Sequence, residues 1–369
     1  LKSIQEEETQ MNKKIIPIVV AIFLFVISCN LFQPDVNITS SNFPLKEQWS
    51  SIFDHAVYNL GVADDWVAVG QSNGITAIDT ESGKTMWKLD FQLDHDSLLL
   101  ISNDELVAAS SSQLFVINKT GEIIHTINLR PKQSTEVVAM YADYVFVYRR
   151  ADGLLEAYSI QNEKLAWYVI THRGGVSVNF DSRTNTVYIT SSSFVSANKI
   201  TDGSEIWKKD IVGRTGILDS DTFYYFSELS PAIGYITAAN ERDGSELWKI
   251  DEHFSIRTTI YNLTITGNLL VASTDYGLIA FDKNNGNELW QSETNDFFYG
   301  NPIPFDDILY IRGTNTDTIY AINPQSGIYF GYLYLGNPSI ISHREYELIY
   351  KSGNYLIFPY NDTVYAYHQ

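Results

Sequence analysis

The chain has 369 residues, 44% hydrophobic and 14% aromatic, enough to bury one large all-β domain or two ordinary domains. Asp and Glu outnumber Lys and Arg 44 to 25, and the formal charge of −19 repels nucleic-acid phosphate, so no nucleic acid is expected as a partner. A single cysteine excludes an intrachain disulfide and a Cys-rich metal site.

Residues 1–10 precede Met11 and read as an upstream extension outside the fold. From Met11 two lysines are followed by an uncharged run, Ile15 to Ser28, and then by Cys29. A basic start and a short apolar run make an export signal, too short for a comfortable membrane span. Val26-Ile27-Ser28-Cys29 resembles the bacterial lipoprotein signal. That resemblance implies cleavage after Ser28, so that 11–28 is the signal peptide. It also implies a diacylglycerol on the Cys29 thiol, which makes the lipid bilayer a partner and places the protein outside the cytoplasmic membrane. Residues 29–44 are polar, with two prolines among Asn, Ser and Thr, and read as a tether.

Beyond the tether the chain repeats. Ala-x-Asp-x-x-x-Gly-x-x-x-Trp occurs as AIDTESGKTMW from Ala77, AYSIQNEKLAW from Ala157, ANKITDGSEIW from Ala197, AANERDGSELW from Ala238 and AFDKNNGNELW from Ala280. Two copies are worn: VINKTGEIIH from Val116 has His125 at the tryptophan place, and AINPQSGIYFG from Ala321 has Gly331 there. A partial copy begins at Ala366. Successive first positions lie 39, 41, 40, 41, 42, 41 and 45 residues apart, a period of about 41.

Each unit also carries apolar runs of strand length before its alanine; examples in chain order are WVAVG at Trp66, ELVAAS at Glu105, YVFVYR at Tyr144, TVYITS at Thr186, LLVAST at Leu269, ILYIRG at Ile308 and YLIFPY at Tyr355. With one weaker strand before each, the period holds four strands, the content of a propeller blade. The last unit lacks its fourth strand, whereas LKEQW, with Trp49 38 residues before Trp87, is a spare one at the amino-terminal side. The predicted fold over 45–369 is therefore an all-β, eight-bladed propeller of four-stranded antiparallel blades, in which the amino-terminal strand completes the last blade and removes an exposed edge.

The repeated residues have structural roles in this reading. Asp79 and Asp282 bind turn N–H groups, and Gly83, Gly121, Gly203, Gly244, Gly286 and Gly327 supply positive φ. Trp87, Trp167, Trp207, Trp248 and Trp290 are expected to cap the gaps between blades, and Trp49 the closure. These units resemble the tryptophan-docking repeats of pyrroloquinoline quinone (PQQ) propellers. An exported eight-bladed lipoprotein of this length further resembles the BamB-like lipoproteins of outer-membrane β-barrel assembly.

The resemblance to quinoproteins would imply a PQQ cofactor and calcium. The adjacent cysteine pair that several of those enzymes place against PQQ is absent, no haem CxxCH or concentrated calcium loop is found, and the seven histidines show no zinc-ligand spacing. No catalytic residue, metal site or cofactor is expected. Non-repeating residues are then the candidates for contact: Arg149 and Arg150 after a strongly apolar strand, Phe297, Phe298 and Tyr299 between two units, and His172-Arg173-Gly174-Gly175 as a small anion loop or a turn between blades. The expected function is a non-catalytic, lipid-anchored extracytoplasmic scaffold for envelope or surface proteins. Two alternatives stand beside it: a PQQ- and calcium-binding dehydrogenase or sensor, and a surface polysaccharide- or peptide-binding module.

Overall fold

Every strand in the first repeat pairs only with its sequence neighbours: Val57–Val62, Trp66–Gln71, Gly74–Asp79 and Thr85–Asp90 form one antiparallel sheet in that order. This is seen in a computed structural model that describes residues 43–369 apart from 92–98, 103, 111, 131–134, 231–232, 251–258, 294–295, 315–317 and 336–348. The two middle strands are buried on both faces, which explains their unbroken apolar sequence, while the last strand alternates exposed and half-buried residues. Seven sheets are built this way. The eighth takes Tyr350–Ser352, Tyr355–Tyr360 and Thr363–His368 from one end of the chain and Lys46–Ile52 from the other. The first strands of successive sheets adjoin one another around a common axis, and the apolar clusters lie between sheets. The result is the eight-bladed propeller expected, closed by the amino-terminal strand. Phe43, which falls in the segment read as tether, is buried edge-on against Tyr310 and Tyr367, so the folded unit begins ahead of Leu45.

The repeated turn joins the third and fourth strands. Asp79 Oδ1 accepts the Ser82 N–H at 2.8 Å, and the Gly83 N–H donates to the Asp79 carbonyl at 2.9 Å with φ +67°. Asn240, Asp282 and Asn323 shape their turns in the same way, each accepting an N–H two residues ahead. The turn in turn receives the tryptophan of the preceding blade. Indole Nε1 donates from Trp49 to Thr80 O, Trp87 to Lys119 O, Trp167 to Ile200 O, Trp207 to Glu241 O, Trp248 to Lys283 O and Trp290 to Pro324 O, at 2.7 to 3.1 Å. Each ring lies against the glycine of that turn, where a Cβ would come within 2.6 Å at Gly83 and Gly203 and 2.8 Å at Gly121 and Gly286.

A β-bulge aims these indoles. In all eight blades the register shifts at the residue before the tryptophan place: Gln48, Met86, Ile124, Ala166, Ile206, Leu247, Leu289 and Phe330 are the extra residues. The bulge sets Trp87, Trp167, Trp207, Trp248, Trp290 and Trp49 directly opposite the small alanines of the third strand. It also turns Met86, Ile206, Leu247, Leu289 and Phe330 out to the rim, where they are exposed.

The two worn copies have physical reasons. His125 replaces the second blade's tryptophan, and the turn it faces has Glu163 where the others have glycine, at φ +49°. Without an indole overhead a Cβ is tolerated, and His125 Nδ1 lies 3.0 Å from Glu163 Oε1. Gly331 faces the eighth blade, whose third and fourth strands come from opposite ends of the chain and share no turn to receive an indole.

Ion pairs between blades reinforce this face. Lys119 Nζ lies 2.5 Å from Asp65, and Lys283 Nζ lies 2.6 Å from Asp219, each reaching from a docking turn to the preceding blade. Arg183 joins Asp181 at 3.0 Å, Asp221 at 2.9 Å and Glu241 at 2.8 Å. Burial works to raise the Asp181 carboxyl, but hydrogen bonds from Arg183 and Thr184 outweigh it and hold the group down at about 2. Glu241 is pushed up by burial, against the pull of Arg183.

Gly203→Ala forces a Cβ into the Trp167 ring at φ +70° and should destabilise the fold by about 2–4 kcal/mol in urea unfolding, whereas Glu163→Gly, in the turn without an indole, should change it by less than about 1 kcal/mol. Arg183→Met should lower the urea midpoint more at pH 7 than at pH 3. Asp181 titrates below its ordinary value of 3.8 in the fold, so the stability it confers is complete above about pH 4 and is lost as the pH falls toward 2. The raised Glu241 acts in the opposite sense, losing stability as pH rises, and Arg183 limits that loss.

Candidate functional site

Hairpins within blades and connections between them separate onto two faces. The first-to-second and third-to-fourth hairpins occupy one, with the docking turns and ion pairs. The second-to-third hairpins and the connections between blades occupy the other, and the non-repeating candidates lie there.

On the third blade, Tyr144–Arg149 ends at this second face. Arg149 is buried. Its guanidinium meets Asp152 at 3.1 Å, donates to the Arg130 carbonyl at 3.1 Å and lies 3.8 Å from the fully buried Glu156. It is therefore a packing element and not a surface contact, because a buried guanidinium is held by partners of opposite charge. Arg150 points outward, 55% exposed, and pairs with Glu136 at 3.1 Å. Arg130, half exposed, lies 3.6 Å from Glu156 and 5.4 Å from the centroid of the exposed Tyr168 ring. Tyr158 donates to Glu156 at 2.8 Å, and burial, with this hydrogen bond, pushes its hydroxyl up to about 12. His172 to Gly175 is a tied turn between blades: Tyr148 OH donates to His172 O, and the Gly174 N–H donates to Tyr148 OH at 3.1 Å.

Between the sixth and seventh blades, Asp296 to Gly300 is held on both sides. Asp296 is buried and accepts the Phe297 N–H at 3.0 Å and Tyr320 OH at 3.1 Å. The Phe297 carbonyl accepts from the N–H and hydroxyl of Thr314 at 2.9 and 3.0 Å, and Asn262 Nδ2 donates to Tyr299 O. Phe298 is wholly buried against Tyr320 and belongs to the core, because its side chain fills the gap between two blades. Phe297 and Tyr299 remain half-buried, their rings 6.1 Å apart at 10°, and Tyr261 stands edge-on to Tyr299 at 4.5 Å. The Tyr261 hydroxyl donates to Asp275, and burial followed by that carboxylate raises its pKa. Three rings and a carboxylate thus form a rigid ledge.

Tyr261 and Asp275 were not among the sequence candidates. Tyr261 is the extra residue of a β-bulge in an innermost strand, and Tyr58, Val138 and Arg214 are its counterparts in the first, third and fifth blades. No residue type signals these bulges in the sequence.

A family model described as outer membrane protein assembly factor BamB matches residues 42–250 and 232–329. The chain belongs to the BamB family of PQQ-like β-propellers. Among solved structures, BamB from Moraxella catarrhalis is similar at 14% identity and TM-score 0.68, with 88% of this chain and 100% of that chain covered. The computationally designed Ika8 protein is similar at 16% identity and TM-score 0.68, covering 86% and 98%, and Sqt1 from Saccharomyces cerevisiae at 12% and 0.64, covering 87% and 97%. At such identities the likeness shows the fold. A comparison with curated protein sequences returns no match.

For a BamB-family chain, a quinone cofactor with calcium would need a cluster of oxygen donors. Among the described residues no group of three His, Cys, Asp or Glu side chains is placed to hold a metal ion. Cys29, the expected lipidation residue, lies outside the described residues.

Phe298→Ala should lower unfolding stability by about 3–5 kcal/mol, and Phe297→Ala or Tyr299→Ala by about 1 kcal/mol each, measured by urea unfolding.

Proposed function

We propose that the chain is a non-catalytic, lipid-anchored extracytoplasmic scaffold that binds envelope proteins, with a BamB-like part in outer-membrane protein assembly. The contrast between the two faces carries the reading. One face consists of repeated turns cross-linked by indoles and ion pairs, while the other presents the ledge of Tyr261, Phe297 and Tyr299 on a loop fixed by hydrogen bonds. Aromatic side chains held rigid offer contact area at low entropic cost, which suits protein recognition. Membership of the BamB family supports envelope proteins as the partners. The Cys29 signal supports attachment to the cell membrane or outer membrane through lipid.

A second reading, a surface saccharide module, is favoured by the placement of three rings beside the Asp275 carboxylate. The two readings part in one experiment on the full chain expressed in its native envelope. In Phe297→Ser/Tyr299→Ser, recovery of an outer-membrane β-barrel assembly protein with the chain should fall about tenfold, while unfolding shifts by about 2 kcal/mol or less. Unchanged recovery would remove the ledge from protein binding, and binding of purified envelope polysaccharide lost in the same variant would favour the second reading. Cys29→Ser should move the protein from the membrane to the soluble fraction.

A further inference from the structure

The outermost strand of the third blade, Lys164–Ile170, is a sheet edge that pairs only inward, with Leu154–Ser159. Such an edge is a template for another strand, and proteins blunt it with charge. Three of the equivalent strands do so after their tryptophans, with Lys88 and Asp90 in the first blade, Lys208 in the fourth and Lys249 in the fifth, whereas the eighth has Ser50 and the exposed Ile52 there. The third blade has Tyr168 and Ile170 at these places, 54% and 57% exposed. From Trp167 to Ile170 the register runs without interruption, beyond the bulge at Ala166.

The two sides of this edge differ. Trp167 docks on the fourth blade, so strand alternation places Val169 on the same side and Tyr168 and Ile170 on the other. Toward the fourth blade lies a cleft of about 400 Å³, lined by Tyr168, Val169 and Ile170 of this strand and by Phe194, Ser196, Asn198, Glu205 and Lys208. Its floor is polar: Ser196 and Asn198 are buried and hydrogen-bonded to each other at 2.6 Å, where the sixth blade has Ile279 and Phe281. On the other side the Arg130 guanidinium lies over the Tyr168 ring and 3.6 Å from Glu156. Arg173, three residues after Ile170, donates to the Ala151 carbonyl at 3.1 Å and makes no ion pair among the described residues. These are cations on a chain with a net charge of −19. The seventh blade also has an apolar outer strand, Tyr329–Tyr334.

We propose that this edge accepts an extended segment of a partner protein as a fifth strand of the third blade. Its alternate residues are acidic, facing Arg130 and Arg173, and the intervening ones are small aliphatic or hydroxyl side chains that enter the cleft. Main-chain hydrogen bonds supply affinity and the two unlike sides supply register and specificity. The site is separate from the aromatic ledge and does not rest on the envelope-assembly reading.

The test uses the full chain and fluorescent, end-blocked octapeptides that alternate Val with Glu, with two controls: a Val–Lys alternation and a Val–Glu peptide interrupted by Pro. Fluorescence anisotropy should show saturable binding of the Val–Glu peptide, weakened at high salt and at least about tenfold weaker for both controls. Amide hydrogen exchange across Trp167–Ile170 should slow when the peptide is bound. Tyr168→Lys and Ile170→Asp each restore the charge found on other blades, and each should weaken binding about tenfold with an unchanged urea midpoint. Equal binding of the Pro peptide, no slowing in this strand, or undiminished binding by both variants would overturn the proposal. So would concentration-dependent dimerisation that Tyr168→Lys abolishes, which would assign the edge to a second copy of the chain.

Discussion

An indole ring resting on a residue without a side chain is the interaction the rest of this molecule depends on. The ring must lie close enough for its N–H to reach the backbone of the next blade, and only a glycine turn leaves that space. The remaining features of the repeat serve this contact. Asp or Asn shapes the turn, alanine lets the fourth strand approach opposite the tryptophan, and the bulge rotates the indole inward. Because each blade's tryptophan docks on the following blade, the contact is directional, and a row of such blades has a donor end and an acceptor end. Trp49, in the strand contributed from the amino-terminal side, docks on the first blade's Gly83 turn and joins the two ends.

Much of this was legible in the sequence because it is local and repeated. The period gave the blade count, and the spare LKEQW segment gave the closure, since each needs only spacing and strand length. Trp49 was found by its distance from Trp87, and its indole occupies the docking position of its blade. The pairing of His125 with Glu163 was half visible, as a missing tryptophan and a missing glycine in neighbouring copies.

The candidate site was read less well, for a reason the fold makes plain. Whether a non-repeating side chain is exposed depends on the adjoining blade, about forty residues away in sequence. Arg149 looked like a free cation at a strand end, yet Glu156 and Asp152 hold it inside. Phe298 stood between two other aromatics and alone of the three fills the core. Tyr168 passed unnoticed because an aromatic in a strand is ordinary. It becomes informative only beside Lys88 and Lys208, its counterparts in other blades.

The closure also orders events in time. Lys46–Ile52 is made early and pairs with Thr363–His368, so its hydrogen-bonding partner arrives only after the chain of seven intervening blades has been produced. Contacts this distant in sequence form slowly. Until they form, the eighth sheet is a three-stranded fragment with an open edge and the first blade's Gly83 turn has no indole upon it. Seam formation is therefore a late, whole-chain step, and any factor that shields this edge during folding would act on a nascent open arc before it becomes a ring.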